Sequence, residues 1–400
     1  MPKTNTHHTS IWSVFLIFFR LGLTSFGGPV AHLSYFHNAF VRHRQWISDK
    51  RYADLVALCQ FLPGPASSQV GFAIGISRAG YWGGFAAWLG FTIPSAVVLI
   101  LFALGLSSID NSLISGAIKG LKIVAVAVVA QAVWGMARMF CTNIPKITLM
   151  GLATCIVLIV SSAWSQIGVI LIAGTVGLWL FSAPQQTHED LVSVKISKSI
   201  GWVCLSLFFL LLFGLPVLNQ MLAHPTLTMV DVFYRTGSLV FGGGHVVLPL
   251  LQAEITPLGW VNNETFMAGY GAAQAVPGPL FTFSAFLGAS SIESPNGWLG
   301  GMISLVSIFI PSLLLMIGAL PFWEQLRKNQ SMQKALIGIN ASVVGILLAA
   351  FYDPVFTSAI QHPIDFAFAL LAFIALMFWK LPPWLVVLAS AGIGWLLQTL

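Results

Sequence analysis

Apolar runs separated by short polar loops repeat from one end of the chain to the other. Runs near the roughly 20 residues that cross a bilayer as helix occupy 80–106, 114–136, 147–164, 167–181, 200–222, 297–322, 334–351, 365–379 and 384–400. The shorter of these tilt less or thin the bilayer locally. Other apolar segments are interrupted by glycine and proline. Residues 11–26 hold Arg20 and end at Gly27-Gly28-Pro29, after which 30–41 carries His32, Tyr35, His37 and Asn38. Residues 52–62 run into Pro63-Gly64-Pro65, and 66–76 form a second arm of like length. Each such arm is about 16 Å of helix, about half a bilayer core.

The interruptions come in pairs. Arg20-Leu-Gly-Leu-Thr-Ser-Phe-Gly-Gly-Pro29 aligns with Arg235-Thr-Gly-Ser-Leu-Val-Phe-Gly-Gly-Gly244 at an offset of 215. Gln60-Phe-Leu-Pro63-Gly64-Pro65 is repeated as Gln274-Ala-Val-Pro277-Gly278-Pro279 at 214, Ile-Pro94-Ser95 as Ile-Pro311-Ser312 at 217, and Gly120 as Gly338 at 218. An offset that drifts by so little over a hundred positions marks an internal duplication. The expected organisation is a polar tail over 1–10, a first transmembrane repeat over 11–181, a linker plus one extra transmembrane helix over 182–225, and a second repeat over 226–400.

Loop charges set the orientation. Residues 38–51 carry Arg42, Arg44, Lys50 and Arg51, whereas the equivalent 253–265 carry Glu254 and Glu264 and no basic residue. Arg327, Lys328 and Lys334 fall where the first half has Asp110 before Lys119, and the loop flanked by Arg138 and Lys146 corresponds to one bearing Asp353 and Asp365. Equivalent loops therefore lie on opposite faces, so the fold class expected is an all-α polytopic membrane protein of two inverted-topology repeats. With the 42–51 and 138–146 loops both inside, 52–106 must cross an odd number of times. A re-entrant hairpin tipped by Pro63-Gly64-Pro65, followed by one span, satisfies that. Applied throughout, the rule gives four hairpins, nine crossings, an amino terminus inside and a carboxyl terminus outside. Cysteines introduced at Ser48 and Asn262 are expected to react with an impermeant reagent from opposite sides; reaction from one side would rule the scheme out.

Composition agrees with this reading. Hydrophobic residues make up 57% and charged residues 8% of the chain, and mean hydropathy is +0.87, which leaves too little charge to cover a soluble domain. The net charge of +6 comes from short loops and reads as the cytoplasmic bias of lysine and arginine, not as a nucleic-acid surface. The first apolar run contains Arg20 and has no small-residue cleavage motif, so no cleavable signal peptide is expected. Cys59, Cys141, Cys155 and Cys204 lack paired spacing, so neither a disulfide framework nor a metal site is expected, and no cofactor is.

Irregular backbone at membrane depth survives only where it is buried in protein or faces a watery cavity. Inverted repeats with broken helices are a recurring plan of secondary transporters, with the substrate at the repeat interface. Amides freed at helix starts, together with the helix dipole, favour an anion. The expected anion-binding residues are thus Gly27, Gly28, Pro63, Gly64, Pro65, Gly242, Gly243, Gly244, Pro277, Gly278 and Pro279, with Ser25, Ser67, Ser68 and Gln69 as neutral donors. Kinking for packing explains one Pro-Gly-Pro; two at matched positions beside matched glutamines favour function. Arg20 and Arg235 each cost roughly 2.5–3.5 kcal/mol at a helix centre, and only Arg235 has a carboxylate, Asp231, one turn away. Snorkelling to the interface is the alternative for each. Their guanidinium forks suit tetrahedral oxyanions, and hairpins entering from opposite faces would bring them together near the midplane. Lys122 adds positive potential, and His32, His245, Asp54 and Asp231 are candidates for carrying protons.

On Phe19-Arg20-Leu-Gly22, Ser25-Phe26-Gly27-Gly28-Pro29, Gln60-Phe-Leu-Pro63-Gly64-Pro65-Ala-Ser67-Ser68-Gln69, Phe241-Gly242-Gly243-Gly244-His245-Val-Val-Leu-Pro249 and Gln274-Ala-Val-Pro277-Gly278-Pro279-Leu280-Phe281, the chain resembles the chromate ion transporter family in its long, two-domain form. The resemblance implies chromate efflux across a bacterial cytoplasmic membrane, chromate resistance, and energy from the proton motive force. Sulfate or another dianion is an alternative substrate, since charge and shape are shared. A membrane-embedded lipid-phosphate enzyme is disfavoured because the breaks carry no matched carboxylates or histidines. The oligomeric state, a homodimer included, is left open.

Overall fold

The computed structural model describes residues 9–108, 111–160, 162–182, 196–241 and 244–399, which are helical with no strand among them. The first half runs α1 (Ile11–Thr24), α2 (Gly28–Phe36, continued by a π-helical stretch His37–His43), α3 (Asp49–Phe61), α4 (Ala66–Ser108), α5 (Asn111–Phe140), α6 (Ile144–Ile159) and α7 (Ala163–Leu180). After α8 (Lys198–Leu222) the second half runs α9 (Pro225–Leu239), α10 (Val247–Ile255), α11 (Asn263–Ala275), α12 (Phe283–Ala289), α13 (Gly297–Ala319), α14 (Trp323–Lys328), α15 (Gln330–Ala350), α16 (Thr357–Ala359), α17 (Pro363–Met377) and α18 (Pro383–Thr399). The duplication is thus visible element by element: α1 matches α9, α2 matches α10, and α3 matches α11. Further on, α5 matches α15, α6 matches α17 and α7 matches α18. Even the caps repeat, because Ser48 accepts from Arg51 N at the start of α3 and Asn262 accepts from Thr265 N at the start of α11.

Both kinds of break fall where glycine and proline predict. Gly27 and Gly28 take φ of 99° and 77° between α1 and α2, and Gly64 and Gly278 take 114° and 109°. α4 is itself two helices, since Ala79 and Gly80 leave helical geometry inside it; the arm after Pro65 ends there, and a long span follows. Helices occupy the apolar runs, and five stretches are long and apolar enough by length and composition to cross a membrane: Ala66–Leu106 with its kink at Gly80, Ser115–Phe140, Lys198–Leu222, Gly297–Leu326 and Gln330–Ala359. The boundary expected near 165 lies earlier, because Ser162 caps α7 by accepting from Trp164 N. The surface carries large exposed apolar side chains, among them Trp82, Trp164, Trp179, Trp202 and Phe213, the face of a protein solvated by lipid.

The halves exchange their last helices: α5 packs against α17 and α18, and α15 against α6 and α7. Small residues make both crossings possible. A Cβ on Gly120 would strike the Ser390 carbonyl, and a Cβ on Gly338 the Ala173 carbonyl; from the other side, a Cβ on Gly394 would strike the Gly116 carbonyl and one on Gly177 the Lys334 carbonyl. In lipid, close approach of this kind replaces the hydrophobic drive that helices have in water. Gly120→Leu and Gly338→Leu are each expected to destabilise the protein by about 1–3 kcal/mol through overpacking, read as a lower midpoint of detergent-induced unfolding. An unchanged midpoint would show that these crossings do not hold the halves together.

Candidate functional site

The two Pro-Gly-Pro breaks interlock with the other half's Gly-Gly break. Gly64 N donates to Val240 O at 2.7 Å, and Gly278 N donates to Ser25 O at 3.0 Å. Val240 follows α9 as Ser25 follows α1, so the two bonds are equivalents exchanged between halves. A Cβ on Gly64 would lie 2.5 Å from Ser312 Cβ, and one on Gly278 2.7 Å from Ser95 Oγ; Ser95 and Ser312 are themselves equivalents. The structure therefore corrects one expectation. The Gly64 and Gly278 amides are not free for an anion, because each is bonded to a carbonyl at the end of a broken helix, where the helix itself leaves that acceptor without a partner.

Beside this interlock lies a partly open cavity of about 690 Å³, lined by Phe26, Gly27, Gly28 and Pro29 of the first break, Gly64, and Gly244 and His245 of the second half. Gln60 of α3, Gln131 of α5, Gln274 of α11 and the 380–384 turn between α17 and α18 complete it, with Lys380 the only charged side chain among the described lining residues. α2 begins at Gly28 with Pro29 in its first turn, and the short helical turn Gly244–Val246 leads into α10. Two helix starts, one from each half, thus reach the same cavity and direct the positive ends of their dipoles toward it. They nearly touch: a Cβ on Gly28 would lie 3.7 Å from His245 Nε2. His245 Nδ1 is 3.2 Å from the Tyr270 hydroxyl, which fixes the ring so that Nε2 faces Gly28. Gln274 Nε2 is buried with no well-formed hydrogen bond beyond its approach to the Tyr270 hydroxyl, a donor whose desolvation cost an anion or water can repay.

The other expected site residues fall elsewhere. His32 is buried, with Nε2 3.1 Å from Ser25 O and Nδ1 3.4 Å from Ser67 Oγ, so it braces the first break and does not line the cavity. Gln69 Nε2 donates to Pro63 O at 2.8 Å, and Ser25, Ser67 and Ser68 are buried behind the cavity wall. Pro63, Pro65, Pro277, Gly278 and Pro279 frame the interlock without lining the cavity. Asp54 Oδ1 accepts from Trp323 Nε1 at 3.0 Å, a link across the halves. Lys122 pairs with Glu264 at 3.3 Å outside the main cavity. Gly242 and Gly243 lie outside the described residues.

Arg20 and Arg235 do not converge on the cavity, and neither lines it. Arg20 is exposed on α1. Arg235 Nη2 is 3.5 Å from Asp231 Oδ2 and 3.1 Å from Glu254 Oε2, so its charge is met by two carboxylates of its own half. The sequence hid this because Glu254 stands nineteen residues away on the far side of a break and read as a loop acid. Sequence reasoning also passed over Gln131, Lys380, Trp384 and Tyr270. Gln131 had a signal: it is the lone polar side chain in the run 123–136. Lys380 had none, standing as a single basic residue between two apolar runs.

Two homologous halves with exchanged helices, meeting through broken helices around a cavity, define a repeat-built membrane transporter. The Chromate transporter family profile matches residues 12–178 and 227–395, the two halves seen in the structure, and the chain belongs to that family. It is 25% identical to an uncharacterized transporter of Methanocaldococcus jannaschii over 99% of this chain and 96% of the relative. It is 26% identical to a probable chromate transport protein of Synechococcus elongatus, covering 94% and 93%, and 25% identical to a chromate transport protein of Cupriavidus metallidurans, covering 95% and 91%. No solved structure matches.

Proposed function

We propose that the protein is a secondary transporter that exports chromate, a tetrahedral dianion, across the cytoplasmic membrane of a bacterium and so confers chromate resistance. The observation that carries this reading is the meeting of the α2 start and the Gly244–Val246 turn, one from each half, on a cavity whose charged wall residue is Lys380. Gly27, Gly28, Gly244, His245, Gln60, Gln131 and Gln274 supply neutral donors around it. The cavity is much larger than one oxyanion, so the ion enters with part of its hydration and exchanges water for these donors stepwise. Tetrahedral oxyanions of equal charge make the same demands, and sulfate is the natural competitor.

The direction follows from the loop charges. The cavity reaches Phe140 at the end of α5 and Lys380 at the end of α17, which the positive-inside rule places on the cytoplasmic face. In this arrangement the short paired helices are re-entrant hairpins, the amino terminus is inside and the carboxyl terminus is outside. Expelling a dianion from an inside-negative cell gains about 2.3 kcal/mol per charge per 100 mV, so potential alone suffices.

Uptake of radiolabelled chromate into inverted vesicles, with potential and pH gradient clamped separately, tests the reading. Uptake is expected to rise with potential and to be competed by sulfate; chromate-independent behaviour under both gradients would end it. Lys380→Gln is expected to weaken half-saturation about tenfold or more, since a hydrogen bond to a charged group contributes about 1.5–3 kcal/mol, while Lys380→Arg retains most of the activity. Equal activity of Lys380→Gln and parent would remove Lys380 from the site.

A further inference from the structure

A second cavity, of about 350 Å³, is lined in part by Lys119 and Lys122 of α5, Glu264, Thr265 and Ala268 of α11, and Gln361. α5 and α11 line the main cavity as well, through Gln131 and Gln274. At about 1.5 Å of rise per residue, Ala268 and Gln274 stand about 9 Å apart along α11, and both helices advance from the smaller cavity to the larger. Between the two spaces the helices close on each other: a Cβ on Gly271 would lie 2.6 Å from Leu121 O, and Val124 and Ala125 are fully buried. The two cavities are therefore consecutive spaces on one seam, separated by a short packed constriction.

The charges in the smaller cavity are of two kinds. Lys119 lies 2.9 Å from Asp365, and Asp365 also accepts from Gln361 N and His362 N at the start of α17. That pair is fixed in a helix cap. Lys122 is different. Its side chain is 12% exposed, yet its partner Glu264 is 76% exposed and sits in the first turn of α11 with room to swing away. The cation is held by the cavity, and its counter-ion is held loosely.

We infer that the smaller cavity is a second oxyanion station, in which Lys122 binds a tetrahedral dianion and the Glu264 carboxylate is a tethered competitor for the same place. An ion arriving through the constriction displaces Glu264, and the returning carboxylate ejects it. That this station is the exit side rests on the export reading above; oxyanion binding at Lys122 does not.

The test is protection of Thr265→Cys in the full-length purified protein from a negatively charged thiol reagent, with labelling of the parent chain subtracted. Sulfate, molybdate and phosphate are the probes, because chromate oxidises thiols and would itself consume the reporter cysteine. Sulfate is expected to slow labelling; Lys122→Gln abolishes the protection and Lys122→Arg keeps it. Glu264→Gln lowers the half-protecting concentration about two- to fivefold, the range expected on removing one exposed ionic competitor. If no oxyanion protects the Thr265→Cys protein with Lys122 and Glu264 intact, or if Lys122→Gln and Glu264→Gln both leave the half-protecting concentration unchanged, the station does not exist. Protection that follows this pattern in a protein that moves no chromate into vesicles supports the station and overturns the export reading alone.

Discussion

Gly278→Ala is expected to destabilise the protein by about 2–5 kcal/mol and to abolish transport. Two costs add. The residue sits at φ 109°, where a side chain costs about 1–2 kcal/mol, and the new Cβ would meet Ser95 Oγ at 2.7 Å, an overlap in a packed core worth about 1–3 kcal/mol. Gly64→Ala faces the same pair of costs at φ 114° against Ser312 Cβ at 2.5 Å. Ser95→Gly in the Gly278→Ala background relieves the second cost only. A double-mutant cycle against the Ser95→Gly single variant should therefore recover about 1–3 kcal/mol of coupling in denaturant midpoints. If Gly278→Ala unfolds where the parent does, the crossed hydrogen bonds do not join the halves.

Arg235→Ala is expected to cost about 3–5 kcal/mol, the usual penalty for stripping a buried ion cluster of one sign. It leaves Asp231 and Glu254 facing each other with no cation among the described residues nearby, and transport is lost with the fold. Loss of transport in that variant does not distinguish an arginine that binds substrate from one that neutralises acids. The combination Arg235→Met, Asp231→Asn, Glu254→Gln does. It removes all three charges at once, and on the structural reading it restores the unfolding midpoint and the chromate uptake together. A combined variant that regains the midpoint yet carries no chromate would return Arg235 to the transport path.

Much of the fold was legible because it is written in covalent preferences. Paired glycines and Pro-Gly-Pro break helices where a single proline does not, as Pro94, Pro216 and Pro311 inside helices show, so the breaks at Gly27-Gly28 and at both Pro-Gly-Pro sites followed from the sequence, as did the duplication. The site was legible in part. Gly27, Gly28, Gly244 and His245 do meet at the cavity, since a broken helix start keeps its dipole in any tertiary setting. What the sequence concealed were partnerships. Arg20 and Arg235 looked equivalent in sequence, yet one is exposed and the other is bound by two acids, because ion pairing depends on which helix faces which. The reach of Lys380 to the cavity depends likewise on α17 and α18 packing on the opposite half.

The crossed bonds from Gly64 to Val240 and from Gly278 to Ser25 also bear on how the protein is made. At synthesis rates of about 5–20 residues per second, the roughly 200 residues between a carbonyl and its distant donor take about 10–40 s to emerge. Throughout that interval the first half sits in the bilayer with the Gly64 amide unmatched and the Ser25 carbonyl held by His32 alone. A newborn first half is thus an incomplete client that insertion machinery must shelter until its twin arrives, and a chain cut in the 182–199 linker should mature only when both fragments are translated together.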